Sequence, residues 1–344
     1  VTDYDAIVVG TGAGGGIVAA VLAEAGRRVL LLERGPALGF DEVGRDHLRN
    51  QRLSLYGHNA GPPVDGHPRV FVDPEGRERP VRPHEAGYHN NAACVGGGTR
   101  VYGAQAWRFL PEDFRMATTY GVPSGSSLAD WPITYDDLEP FYERAEWELG
   151  AAGDGASLQG RLPRRRGYPL PPVPSSPQTA ALERGARRLG WATGPVPLLI
   201  NTVPYGGRQA CIGCRYCVGF ACPTEAKNGT HNTMIPRALA TGLCELVPQA
   251  VAERVETDAR GRPVGVSFIR AEHGQQRRHL AEAKVVIVSG GAIESARLLL
   301  NSRSRHHPHG LGNGHDQVGR HLQGHLYPRA YGLAPEPVFS GVGP

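Results

Sequence analysis

The stretch AIVVGTGAGGGIVAAVLAEAG, residues 6–26, constrains the fold of this chain more than any other. Its first four residues are apolar and suit a short strand buried on both faces of a parallel sheet. A glycine turn follows at once, and the small residues after it suit a helix pressed closely on that sheet. Gly10, Gly12 and Gly15 fit G-x-G-x-x-G, and Gly14 bares one more stretch of backbone. The first glycine makes the tight turn, the second lets backbone approach a pyrophosphate, and the third lets the helix sit against the strand. A second strand, RVLLLE, ends on Glu33 about 20 residues on, where a carboxylate takes a ribose hydroxyl pair. Arg34 and Gly35 close that strand. The acid argues against a 2′-phosphate, so the ligand expected is FAD or NAD and not NADP.

Two later segments extend the same architecture. Gly96-Gly97-Gly98-Thr99 offers consecutive backbone N–H groups that form an anion-binding nest, with a hydroxyl at its end. A second phosphate contact suits a cofactor with a pyrophosphate bridge. The run VVIVS at 285–289 reads as another buried parallel strand, and Gly290-Gly291 permits close approach at its carboxyl end, where doubly wound sheets hold ligands. The fold class is α/β, with a discontinuous Rossmann-like dinucleotide-binding domain.

These motifs sit within longer matches: NNAACVGGGTRVYGAQAWRFLPEDF (90–114), ADWPITYDDLEPFYERAEWELG (129–150), VVIVSGGAIESARLLLNS (285–302) and VGRHLQGH (318–325). They resemble, in order and over nearly the whole chain, segments of the glucose–methanol–choline (GMC) oxidoreductases. The resemblance implies FAD as the cofactor, an inserted α+β substrate or cap domain, Tyr102 and Gly103 as further flavin contacts, and Val251 as a residue whose backbone faces the adenine. Val101 stands where some relatives tether the flavin through a histidine, which implies non-covalent FAD. The FAD-binding domain is expected at 1–35, 90–115 and 231–320, a lid or excursion at 36–89, and the substrate domain at 116–230 and 321–344. A helix is expected near 135–149 and a β-hairpin around Asp258–Gly261.

The same resemblance implies oxidation of an alcohol, a sugar or polyol hydroxyl, by hydride transfer to flavin N5. The family's C-terminal segment, which carries the general base, has no counterpart after His325, so the base is expected outside this chain and no catalytic residue is assigned. His325 resembles a position near the domain crossover, and His306, His307 and His309 read as surface residues of a Pro/Gly-rich loop. Three explanations fit: a shortened polypeptide, one of two polypeptides that form the enzyme together, or a flavin-binding relative that has lost catalysis. The rival function is a non-catalytic flavin-binding or assembly subunit. Expected partners are an alcohol or sugar substrate, a second polypeptide or the remaining C-terminal segment, and an electron acceptor, with dehydrogenase favoured over oxidase.

Four of the six cysteines fall in CIGCRYCVGFACP, residues 211–223. Cys211, Cys214, Cys217 and Cys222 are spaced C-x2-C-x2-C-x4-C-P, one residue longer than a ferredoxin run, and the spacing favours an iron–sulfur cluster over zinc. Some GMC sugar dehydrogenases carry a comparable stretch that holds a three-iron cluster, and Cys211, Cys217 and Cys222 are the positions most similar to it. Packed thiols or a disulfide are the alternative. Cys94 and Cys244 stand apart and read as buried free thiols.

Composition narrows the classes left. A formal charge of +4 comes from arginines spread along the chain, without a basic stripe interleaved with aromatics, so nucleic acid is not an expected partner. No run approaches the roughly 18 apolar residues of a membrane span. VTDYDAIVVG runs into its strand with no signal-peptide pattern, and a cytoplasmic location is the expectation.

Overall fold

A computed structural model describes residues 4–39, 68–73, 75–82, 85, 92–157, 161–214, 216–324, 330–335, 337–338 and 343. His325, most of the expected lid at 36–89 and much of 325–344 lie outside the described residues. In chain order the elements are β1 (Tyr4–Val9), α1 (Ala13–Glu24), β2 (Val29–Leu32), β3 (Arg69–Val72), β4 (Glu78–Val81), α2 (Met116–Tyr120), α3 (Tyr135–Leu149) and α4 (Pro177–Arg188). They continue with α5 (Met234–Ala240), β5 (Cys244–Val247), β6 (Ala250–Thr257), β7 (Pro263–Glu272), β8 (Gln275–Val288) and α6 (Gly291–Asn301).

One mixed sheet runs β5-β2-β1-β8-β7-β6. β1 pairs in parallel with β2 and β8, and β2 with β5. β8 is longer than the VVIVS run that announced it. Its charged first half pairs antiparallel with β7 up to Glu282, and its apolar second half pairs parallel with β1 from Ala283. The sequence change from QQRRHLAEAK to VVIV therefore marks a change of layer within one strand.

Alternate residues of the parallel strands serve two layers, as the period of two requires. Ile7, Leu30 and Leu32 share a buried cluster with Ala252, Val255, Val266 and Phe268 of the antiparallel strands. Ala6, Val8, Val29 and Leu31 are equally buried and face the other way. α1 buries Gly15, Gly16, Ala19, Ala20 and Ala23, a surface without bulk, and it contacts β1, β2 and α5. The expected hairpin joins β6 to β7. Asp258 Oδ1 accepts from the amides of Arg260 (2.8 Å) and Arg262 (3.0 Å). The Arg262 amide first, and then its guanidinium, hold the Asp258 carboxyl down at about 2.

The chain divides into two units. The first is Val1–Tyr102, Val218–Cys222 and Gly229–Tyr331; the second is Gly103–Cys217, Pro223–Asn228 and Gly332–Pro344. The opening stretch of the first unit ends at Tyr102: Leu199 N donates to Ala104 O (2.8 Å) and Ala106 N to Pro197 O (2.9 Å), which ties 104–106 into the second unit. Residues 218–222 return to the first unit, where Gly219 N donates to Val101 O (2.7 Å). The first unit also runs past 320 to Tyr331.

In the second unit α3 starts with a capping box: Thr134 Oγ1 accepts from Asp137 N (3.2 Å), and Asp137 Oδ2 accepts from Thr134 N (2.8 Å). It ends at Gly150, whose φ of +78° suits a residue without a side chain. This helix buries Glu139 and Glu146 where apolar residues would ordinarily go. Arg108 makes that arrangement tolerable. Its Nε and Nη2 each donate to Glu146 at 2.8 Å, and its Nη1 donates to Tyr135 OH at 3.0 Å and Glu139 at 3.4 Å. Arg164 adds a contact to Glu146 at 3.3 Å. Breaking such a cluster from one side leaves buried carboxylates without their cation. Arg108→Met is expected to cost about 3 kcal/mol, and Arg108→Lys to recover less than half, because an ammonium cannot reproduce the fork. Urea unfolding of the two variants against the parent checks this.

Candidate cofactor site

The candidate site lies within the first unit, at the carboxyl ends of β1 and β2. Gly10 turns the chain with φ of +102°, and a Cβ there would stand 2.4 Å from Ser289 O. A Cβ on Gly15 would stand 1.8 Å from Gly10 O, so α1 sits closer to the turn than any side chain allows. Gly12 is different: no described residue lies within 4 Å of its missing Cβ, and its φ of −62° is ordinary. Its bareness therefore serves open space and not the fold. At Gly14 the nearest atom is Ser289 Oγ, 3.7 Å away.

The second glycine segment abuts the first. Gly96 and Gly97 have φ of +95° and +51°, and a Cβ on Gly97 would approach Gly12 Cα to 3.2 Å. Gly98, like Gly12, faces open space. Together these positions make a backbone-lined cradle that side chains would fill.

Thr11, which the motif reading passed over, joins its parts. The Thr11 hydroxyl donates to Glu33 Oε2 (2.5 Å) and accepts from Gly96 N (3.0 Å). The Thr11 amide donates to the same carboxylate oxygen (3.1 Å), and Gly35 N donates to Oε1 (2.9 Å). Glu33 is buried. Desolvation pushes its carboxyl up, and the Thr11 hydroxyl, the Gly35 and Thr11 amides and Arg34 only partly offset this. A carboxylate offers about four acceptor positions, so Oε1 keeps one for a ligand hydroxyl. The only clue to Thr11 was a polar residue in the variable slot between two motif glycines. Thr230 was missed too. Its hydroxyl donates to Thr11 O (2.7 Å), and its amide donates to Thr99 Oγ1 (3.1 Å).

The remaining expected residues fall around this centre. Tyr102 is half-buried, with its amide on Gly98 O (3.0 Å), and Gly103 is the first residue of the second unit. Val251 is half-buried on β6 opposite Ile269. The chain reaches it along the Glu33 turn, where Gln249 N donates to Gly35 O (3.0 Å) and Ala250 N to Glu33 O (2.8 Å). Gly290 caps α6, and Ser289 N donates to Val9 O (2.8 Å). Arg34 binds Glu294 in the first turn of α6 at 3.1 Å, a partner that sequence spacing could not reveal. Arg69 (3.4 Å) and Arg297 (2.7 Å) bind the same carboxylate.

The cysteine segment is not drawn together in this way. None of the six cysteines is joined in a disulfide, and no group of three or more His, Cys, Asp or Glu among the described residues is arranged to hold a metal. Cys211 Sγ accepts from Gly213 N (3.3 Å), and Cys217 O accepts from the buried Lys227 ammonium (2.6 Å). Cys222 belongs to the first unit and its three companions to the second. As arranged, the thiols make no site for an iron–sulfur cluster. Cys94 and Cys244 are buried, and desolvation raises their thiols to about 12 and about 11.

Comparison with known proteins agrees with this geometry. Residues 4–327 match the family model described as GMC oxidoreductase, and the chain belongs to that family. It is 30% identical to the fructose dehydrogenase large subunit of Gluconobacter japonicus, over 98% of this chain and 61% of that one. It is 33% identical to 6'''-hydroxyparomomycin C oxidase of Streptomyces lividus, over 93% and 54%. It is 32% identical to 2-methyl-1,2-propanediol dehydrogenase of Mycolicibacterium austroafricanum, over 94% and 55%. The chain thus spans little more than half the length of these relatives. Pyridoxine 4-oxidase from Mesorbium loti (TM-score 0.52, 18% identity, 87% of this chain and 51% of that one) shares the fold. So does an FAD-dependent oxidoreductase from Chaetomium thermophilum (TM-score 0.51, 16% identity, 87% and 47%). Family and fold support FAD as the cofactor, and the open backbone at Gly12 and Gly98 with the acceptor on Glu33 fits its dinucleotide part.

Glu294 gives the site a pH signature. Burial alone would raise its carboxyl, but Arg34, Arg297 and Arg69 outweigh burial and hold it below the ordinary 4.5. A carboxyl lowered by folding contributes stability above its unfolded value, and that stability is lost as pH falls through the lowered one. Glu294→Gln should therefore destabilise the protein by about 2 kcal/mol at pH 7, and the difference from the parent should shrink as pH falls below the ordinary 4.5 and close once it passes the lowered value. Chemical denaturation across that range measures it.

Proposed function

We propose that this chain is the FAD-holding part of a dehydrogenase that oxidises a sugar or polyol hydroxyl, with the general base supplied by polypeptide outside it. The cradle carries the reading: two glycine turns set against each other, open at Gly12 and Gly98, with Glu33 at one end. When bound, FAD supplies the two-electron acceptance, taking hydride at N5 from the carbinol carbon while a base takes the hydroxyl proton. The chain's own residues bind and orient. Amides of the two glycine turns meet the pyrophosphate, and Glu33 accepts from a ribose hydroxyl. Val101 offers no side chain for a tether, so the cofactor is held non-covalently.

The substrate class draws support from relatives named for fructose, 2-methyl-1,2-propanediol and hydroxyparomomycin C, all hydroxyl-bearing molecules. Two of these three are named dehydrogenases, and one of those is named a large subunit, which favours a separate electron-accepting partner over oxygen. The test is an anaerobic ultraviolet–visible spectrum before and after dithionite, with iron and zinc measured on the same sample. Flavin bands that bleach support the reading, and a preparation that never retains flavin overturns it. Stoichiometric iron would show that the cysteine segment rearranges around a cluster. Sugar oxidation that appears only with a complementary polypeptide would support a split enzyme; flavin without turnover in either case would favour an assembly subunit.

Gly12 separates cofactor binding from folding. A Cβ there meets no described residue within 4 Å and needs no unusual backbone angle. Gly12→Val should leave the melting temperature of the flavin-free protein within about 2 °C of the parent and weaken FAD binding by about a hundredfold or more. Fluorescence titration with FAD and thermal melts of the flavin-free forms decide it.

A further inference from the structure

Thr230 lies far from both glycine motifs in sequence, yet it touches the backbone of the first and the closing threonine of the second. Its hydroxyl donates to Thr11 O at 2.7 Å, in the first glycine turn. Its amide donates to Thr99 Oγ1 at 3.1 Å, and the two threonine hydroxyls lie 3.3 Å apart. Thr99 Oγ1 in turn donates to Gly96 O at 2.6 Å, in the second turn. Thr230 is buried, and a Cβ on Gly16 would approach Thr230 Cβ to 2.6 Å, so α1 leaves a notch that this side chain occupies. The Thr230 carbonyl accepts from Ile235 N (2.9 Å) in the first turn of α5. A neighbouring bond, Thr233 Oγ1 to Gly229 O at 2.6 Å, holds the approach to that helix.

Gly96 stands 85 residues beyond Thr11 in the sequence. Beside the Thr11 hydroxyl, which accepts from Gly96 N, Thr230 fastens the two halves of the cradle through polar contacts. From this geometry we infer that Thr230 is a positioning residue for the cofactor: it sets the spacing of the two glycine turns, and with it the affinity for the dinucleotide, without touching the ligand. The inference rests on the FAD reading above. It deepens that reading by placing control of the cradle in the segment before α5.

Two properties of Thr230 need separating, its hydroxyl and its bulk in the Gly16 notch. Thr230→Val keeps the bulk and removes the hydroxyl, whereas Thr230→Ser keeps the hydroxyl and removes a methyl. Loss of the bond to Thr11 O should weaken FAD binding about tenfold in Thr230→Val. Thr230→Ser should stay within about threefold of the parent, and the valine variant should also show a shifted visible spectrum for whatever flavin it retains. Affinity is read by titrating flavin-free protein with FAD, and folding by far-ultraviolet circular dichroism and melting of the same samples. Valine binding FAD as the parent does overturns the inference. Valine and serine variants weakened alike overturn it too, because packing and not the hydrogen bond would then be responsible. Should Thr230→Val fail to fold, Thr230→Ala against Thr230→Ser carries the same test: the two differ only in the hydroxyl, so alanine weakened and serine not supports the inference, and both weakened alike overturns it. A parent that binds no FAD at all refutes the cofactor reading itself, an outcome distinct from any difference among the variants.

Discussion

Glu33 brings a carboxylate into a place from which water is excluded, and its surroundings are organised to keep it there. Burial alone would favour the neutral acid, so the group needs donors aimed at it. Two of these are backbone amides, at Thr11 and Gly35, supplied by the turns that flank the strand ends. The third is the Thr11 hydroxyl, and because a hydroxyl both donates and accepts, it also takes the Gly96 amide. Satisfying one buried acid thus brings the second glycine segment against the first. Removing the acid would free the Thr11 hydroxyl and loosen the bond that Gly96 N makes to it across the junction of the two turns.

The second unit solves a similar problem with the opposite sign of surprise. α3 turns carboxylates inward, and Phe141 stands 66% exposed on the same helix, the reverse of ordinary amphipathic patterning. The inversion holds because Arg108 supplies a planar fork to Glu146 and a further donor to Tyr135 and Glu139. Such a cluster is a weak source of net stability, since the desolvation of each charge offsets most of the attraction. Its effect is on specificity of arrangement: helix α3, Arg108 and the 164–168 segment have few other ways of meeting that leave no charge stranded.

What could be read from the sequence was local. Gly10 and Gly15 meet the steric demands that their spacing implied, because the strand, turn and helix that need them are contiguous. The α3 helix and the Asp258–Gly261 hairpin were legible for the same reason: caps and turn residues act over three or four positions. Contacts made across long separations were not. Arg34 gave no sign that its partner would be Glu294, nor Thr230 that it would reach Thr11, since nothing in a single chain marks a pair that only folding brings together. β8 shows an intermediate case. Its apolar half reads as a parallel strand from its residues alone, whereas its charged half carries no apolar run and is a strand through its antiparallel pairing with β7. The cysteine segment shows the converse hazard: a suggestive spacing carries no information about which unit each residue joins, and Cys222 joins a different one from Cys211, Cys214 and Cys217.

The division of the chain bears on how its chemistry is distributed. Every group that shapes the dinucleotide cradle, from Gly10 through Glu33, Gly96–Thr99 and Thr230 to Glu294, belongs to the first unit. The cradle is therefore built within one compact body, although that body is assembled from three separate stretches of sequence. The constraint on it is geometric: two glycine turns at a set spacing beside a buried acid.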